Sequence, residues 1–136
     1  MPAPVRSPYQ YAVLRVVPSI ERGECINAGV VLLCRARRFL AARTALHEAL
    51  LAALAPGLDR GDVHAHLAAI ERVAAGDGTA GPIAALTPAE RFHWLTAPSS
   101  TIIQPGPVHT GLCDNPAEEL ERLFRELVGR EAVANE

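Results

Sequence analysis

Read with the two-residue period of a strand, two stretches of this chain are apolar on both faces. Between Tyr9 and Val17, Tyr9, Tyr11, Val13, Arg15 and Val17 share one face. Gln10, Ala12, Leu14 and Val16 share the other. Both faces are largely apolar, which predicts a central strand, and Pro18 ends it. Ile26 to Arg35 carries a second strand whose Val30 to Leu33 run is apolar throughout, the mark of full burial. Phe39 to Ala42 suits a third, shorter strand after a tight turn, so the order implies an antiparallel meander.

The period then changes. Thr44 can cap a helix with Leu46, Leu50 and Leu54 on its inner stripe, ended by Pro56-Gly57. Asp59 or Asp62 can cap the next, with Val63, Leu67, Ile70 and Ala74 at core spacing. Gly76 to Pro82 reads as a connection. Thr87-Pro88-Ala89-Glu90 is a capping box with proline in the first turn, and Pro98 stops the helix it starts. Thr101 to Gln104 reads as a late strand, which Pro105-Gly106-Pro107 breaks into a loop. Asn115-Pro116-Ala117-Glu118 opens the last helix. Its Leu120, Leu123, Phe124 and Leu127 face inward, Gly129 suits its C-terminal cap, and Glu118–Arg122 and Glu121–Arg125 are expected as outward pairs. The sum is an α+β fold: a small, mostly antiparallel sheet, three-strand meander plus late strand, covered by helices. Residues 1–8 read as a lead-in, 9–130 as one domain and 131–136 as a tail.

Composition narrows the chemistry. The 136 residues are 49% hydrophobic and 21% charged, enough for one core and ordinary for a globular chain. A formal net charge of -2 gives no broad footprint for nucleic acid. All 13 basic residues are arginine, so Schiff-base and P-loop lysine chemistry are excluded. Cys25, Cys34 and Cys113 form no Cys-x-x-Cys pair, so no metal site is assigned and reduced thiols are expected. No signal-like or membrane-spanning apolar run occurs. The expectation is a soluble cytoplasmic protein with no membrane contact. No cofactor is assigned.

Polar groups concentrate between Ser99 and Asp114. His109 sits there with Thr110, Gly111 and Asp114, and glycine permits close approach to an anion. A loop tied down by its own side chains is the plainer reading. The segment from Pro18 to Cys25 carries Arg22-Gly23-Glu24 and exceeds a tight hairpin. Gly23 suits a positive φ, and Asn27-Ala28-Gly29 suggests a bulge. Arg15 stands in an apolar strand and needs an acidic partner, with Glu24 and Asp114 nearest; without one, an anionic ligand is the better idea. His93 is expected half-buried and hydrogen-bonded. His64 and His66 point apart on a helix and cannot share a metal. A Cys113–His109 thiolate pair requires the loop to fold back, and a small core residue is the simpler role for Cys113. Arg35, Arg37, Arg38 and Arg43 fit a hairpin edge guarded against aggregation better than a phosphate patch.

Tyr11 to Val17 with Arg22-Gly23-Glu24 and Asn27-Ala28-Gly29-Val30-Val31-Leu32 resembles the bacterial family of unknown function DUF3037. Ser100-Thr101-Ile102-Ile103-Gln104, Pro107-Val108-His109-Thr110-Gly111 and Asp114 resemble its second block. Ala28 stands where valine is expected. Asn115 replaces a second acidic residue, which argues against a carboxylate pair. The resemblance implies a small bacterial single-domain protein without established activity, sometimes encoded beside HipA-like kinases, hence a protein partner. Two functions follow. One is a non-enzymatic accessory or binding protein with a polar pocket between the 22–27 and 104–114 loops. Its candidate ligand residues are Arg15, Arg22, Glu24, Asn27, Gln104, His109, Thr110, Gly111 and Asp114, and its ligand is a partner or small anion. The other is a hydrolase or transferase acting on a phosphorylated or nucleotide-like substrate. There His109 is the acid or base, Glu24 or Asp114 orients it, and Arg15 binds the anion.

Overall fold

The computed structural model describes residues 5–99 and 101–129. Part of the expected lead-in, Ser100 of the second block and the expected tail at 131–136 lie outside them. Five strands and four helices run in the order β1 (Ser7–Val16), β2 (Ile26–Cys34), β3 (Phe39–Thr44), α1 (Glu48–Leu54), α2 (Arg60–Ala75), α3 (Pro88–Thr96), β4 (Ile103–Pro105), β5 (His109–Cys113) and α4 (Pro116–Phe124). The fold is α+β, as the pattern predicts.

β1 is the middle of the sheet. One side pairs along its length with β2, which pairs in turn with β3. The other side is shared by β4, on Leu14 to Val16, and β5, on Ser7 to Tyr11. All pairings are antiparallel. The alternation of β1 buries two cores. Ala12, Leu14 and Val16 join Val31 and Leu33 beneath α1, α2 and α3. Tyr9 joins Val30, Leu32, Cys34 and Cys113 beneath Leu120 and Leu123 of α4. The helices therefore cover both faces. α4 lies over this second core beside β2 and β3, and the turn that continues it reaches Asn27 with its Leu127 carbonyl, while Arg15 at the far end of β1 stays half-buried.

Several sequence expectations need correction. Ser7 and Pro8 belong to β1, not to a lead-in. Thr44 ends β3, and His47 caps α1, accepting the Leu50 N–H on Nδ1 at 3.0 Å. Leu51 is the fully buried residue of that helix, while Leu50 is 45% exposed. Asp59, not Asp62, caps α2. The Gly76–Pro82 connection is turned twice into 3-10 helix, at Gly78–Ala80 and Pro82–Ala85. Pro105-Gly106-Pro107 does not end the late strand, because pairing with β1 resumes at His109. The expected outward pairs of α4 are exchanged for others. Arg122 bonds Glu119 and Glu126, and Glu121 bonds Arg43. Other readings hold: Thr87 caps α3 by accepting the Glu90 N–H, and Glu90 reaches back to accept the Thr87 hydroxyl; Asn115 caps α4, and Gly23 has φ 73°. No helix among the described residues is long and apolar enough to cross a membrane.

Candidate functional site

The two polar blocks meet across β1. Arg15 is register partner to Asn27 of β2 on one side and to Gln104 of β4 on the other. Directly paired residues share a face, so the three side chains form one lateral row on the sheet face that α4 packs against, at its Arg15 end. Both neighbours reach that face through a bulge. On β2, Leu14 pairs with Gly29 and Arg15 with Asn27, so Ala28 is the extra residue, as the Asn-Ala-Gly spacing predicts. On the other side the register changes by one residue between the Leu14–Pro105 and Tyr11–His109 pairs. Gly106 lies in that second bulge and donates its N–H to the Val13 carbonyl at 2.7 Å.

The row is braced at its ends and open in the middle. Asn27 Nδ2 donates to the Leu127 carbonyl at 3.1 Å, and Gln104 Nε2 to that of Thr101 at 3.1 Å. A Cβ on Gly106 would stand 3.0 Å from the Arg15 guanidinium carbon, so a larger residue there would push that group away from the bulge. Sequence reasoning did not select Gly106; its position between two prolines, just beyond the partner of Leu14, was the available signal. Two open cavities border the row. One of about 370 Å³ reaches Asn27 alongside Cys25, Leu50 and Glu126. The other, about 350 Å³, reaches Gln104 and Gly106 alongside Thr96, Ser99 and Val108.

Neither expected partner serves Arg15. Glu24 is bonded by Arg22 within its own loop, and Asp114 lies 3.9 Å from Arg6 beyond the opposite end of β1. Among the described residues the Arg15 side chain has no ion pair and no hydrogen bond. The reason is topological: β5 carries Asp114 away from Arg15, toward Ser7.

His109 lies on a strand rather than a loop. It faces Tyr11, with ring centroids 5.2 Å apart, and bonds no carboxylate among the described residues. Arg15 is four residues from Tyr11 along β1, a backbone separation of about 13 Å. Thr110 points to the opposite sheet face, opposite Gln10. Gly111 lies under Tyr9, where a Cβ would come within 2.7 Å of the phenol. Cys113 sits four residues from His109 on the same strand, so no thiolate pair forms. Burial pushes its thiol pKa up, with the Cys34 thiol adding to the shift. His93 is exposed, not half-buried. Of the arginine cluster, Arg37 binds Ser7 Oγ at 3.2 Å, and Arg43 stacks on Phe124 while bonding Glu121. Both are tied into the structure.

A polar centre not foreseen from sequence lies under α4. The Tyr9 hydroxyl donates to Glu119 Oε2 at 2.5 Å, and Arg122 closes on both oxygens of that carboxylate at 2.8 Å. Burial, then the Glu119 bond, pushes the Tyr9 phenol up to about 12, while Arg122 holds Glu119 below the usual carboxylate range. This is an anchor for α4; its acid and base are already paired.

No curated protein and no solved structure matches this chain. The model of a family described as a protein of unknown function, DUF3037, matches residues 11–128. That span includes Arg15, both bulges and both cavity walls, and on it the chain belongs to the DUF3037 family.

Proposed function

We propose that this protein is a non-catalytic binding module that recognises an anionic group at the Asn27–Arg15–Gln104 row. The observation that carries the reading is Arg15 itself. A half-buried guanidinium without an acidic partner among the described residues leaves its planar fork of donors free for a carboxylate or phosphate. The glycine behind it gives the guanidinium room, and the Asn27 and Gln104 amides stand on either side of it in the row. The absence of a carboxylate on His109 among the described residues favours binding over acid–base chemistry. The family resemblance implies a kinase-like protein as the partner class, with a surface carboxylate or phosphate as the group read. A bacterial, cytoplasmic setting belongs to the same reading, and three free cysteines suit a reducing compartment.

The test is an amide-resolved titration with inorganic phosphate, pyrophosphate and acetate. The expected result is salt-sensitive movement of the Arg15, Asn27, Gln104 and Gly106 amides, lost in Arg15→Gln while the rest of the spectrum holds. No movement with any of the three anions, or equal movement in Arg15→Gln, overturns the proposal.

A further inference from the structure

The two edges of the sheet are treated differently. On β3 the outward N–H of Thr44 is taken by Glu71 Oε1 at 2.9 Å, and the Thr44 hydroxyl by the same oxygen at 2.7 Å. Helix α2 lies along that edge, and Arg43 adds charge to it. These devices block strand addition. β5 has none of them. His109–Cys113 contains no proline, lysine, arginine or carboxylate.

The pairing pattern tells which of its backbone groups are free. Val17 N–H to Ile102 C=O and Gly106 N–H to Val13 C=O, both 2.7 Å, turn the odd-numbered residues of β1 toward this side. Alternation then turns His109, Gly111 and Cys113 inward to β1, and the amides and carbonyls of Thr110 and Leu112 outward. No described residue bonds them. Leu112 is 59% exposed and Val108 41% exposed.

We infer that β5 is a homodimer edge, on which a second copy of this chain adds its own β5 antiparallel across a two-fold axis at Gly111. The argument is self-complementarity. Thr110 and Leu112 stand symmetrically about Gly111, so each copy's Thr110 meets the other's Leu112 and four backbone bonds close without any shift of register. Gly111 has no side chain to obstruct the axis. Leu112 of one copy lies diagonal to Leu112 of the other on one continuous face, so the two exposed leucines cover each other. No charged residue of β5 opposes its twin. Pro105 and Pro107 confine the pairing to this window, because neither can donate a bond. Such a contact is small, so the association is weak and concentration-dependent.

Sedimentation equilibrium tests this on the full chain. The wild type is expected to rise from 14.5 kDa toward twice that mass between about 10 µM and about 1 mM. Amide exchange at Thr110 and Leu112 should slow over the same range. Leu112→Lys changes an exposed side chain, and Thr110→Pro removes one outward donor without touching the bonds to β1. Each should weaken association by about tenfold or more with the fold retained by circular dichroism. A wild type that stays monomeric throughout, so that the edge is free or kept for a different chain, overturns the inference. So does a dimer that both variants form as strongly as the wild type.

Discussion

Replacing Tyr9 by phenylalanine removes one oxygen atom and keeps every ring contact in the second core. The bond lost runs 2.5 Å from the phenol to Glu119 Oε2, and its acceptor is charged. A hydrogen bond to a charged group contributes about 1.5–3 kcal/mol. Glu119 keeps both bonds from Arg122, so its carboxylate is not stranded. The expected loss therefore falls near about 2 kcal/mol. At about 2.1 cal/mol/K per residue, the unfolding entropy of a chain this long converts that into a fall of about 7 °C in Tm. The pH dependence gives an independent check. The folded phenol titrates near 12 against an ordinary 10.0. A raised pKa means the unfolded chain releases this proton first. The stabilisation is present in full below pH 10 and is lost as pH rises through 12. Calorimetry of wild type and Tyr9→Phe from pH 8 to 12 should show the gap in Tm closing above pH 10. On the acid side, the depressed Glu119 pKa adds stability that is present above the ordinary carboxylate value and lost as pH falls through the folded one. A Tm difference under about 1 °C at pH 8, or one constant to pH 12, refutes the account of this anchor.

Glu71→Ala removes both bonds to Thr44 and should cost about 1.5–3 kcal/mol, read as a lower urea midpoint at unchanged slope; an unchanged midpoint would count against Glu71 as the plug of the β3 edge. Arg38 holds φ 51° in the β2–β3 turn. Arg38→Gly should raise stability by about 0.5 kcal/mol, since relief of the left-handed strain exceeds the added chain entropy, and a lower Tm would refute that balance.

What could be read from the sequence follows from how local each interaction is. β1 and β2 were legible because burial on both faces leaves an unbroken apolar run. The Ala28 bulge and the Thr87 cap were legible because their bonds span a few residues. β5 was hidden. His-Thr-Gly-Leu-Cys has no clean alternation, and its strand character comes from pairing with Ser7 to Tyr11, about a hundred positions away. Gly111 looked like a loop glycine, yet it is small because the Tyr9 ring lies on it. The row at Arg15 was half legible: the residues were selected, but their arrangement was not. The direction in which β5 runs decides that Asp114 cannot reach Arg15, and no local pattern carries that direction.

The two bulges beside Arg15 have a consequence for how such a chain can vary. A strand sorts its side chains by parity, odd to one face and even to the other. Asn27 with Val30, and Gln104 with His109, share a face only because each bulge resets the count by one. Between Asn27 and Val30, and between Gln104 and His109, the loss or gain of one residue would turn a strand over, sending Leu112 inward and Cys113 into water in the second case. Changes of two residues would preserve the faces. The hairpin at Ser19 to Glu24 obeys no such rule, because its length is not phased to the sheet. Length variation among natural sequences of this architecture should be free there and even-numbered beside Arg15.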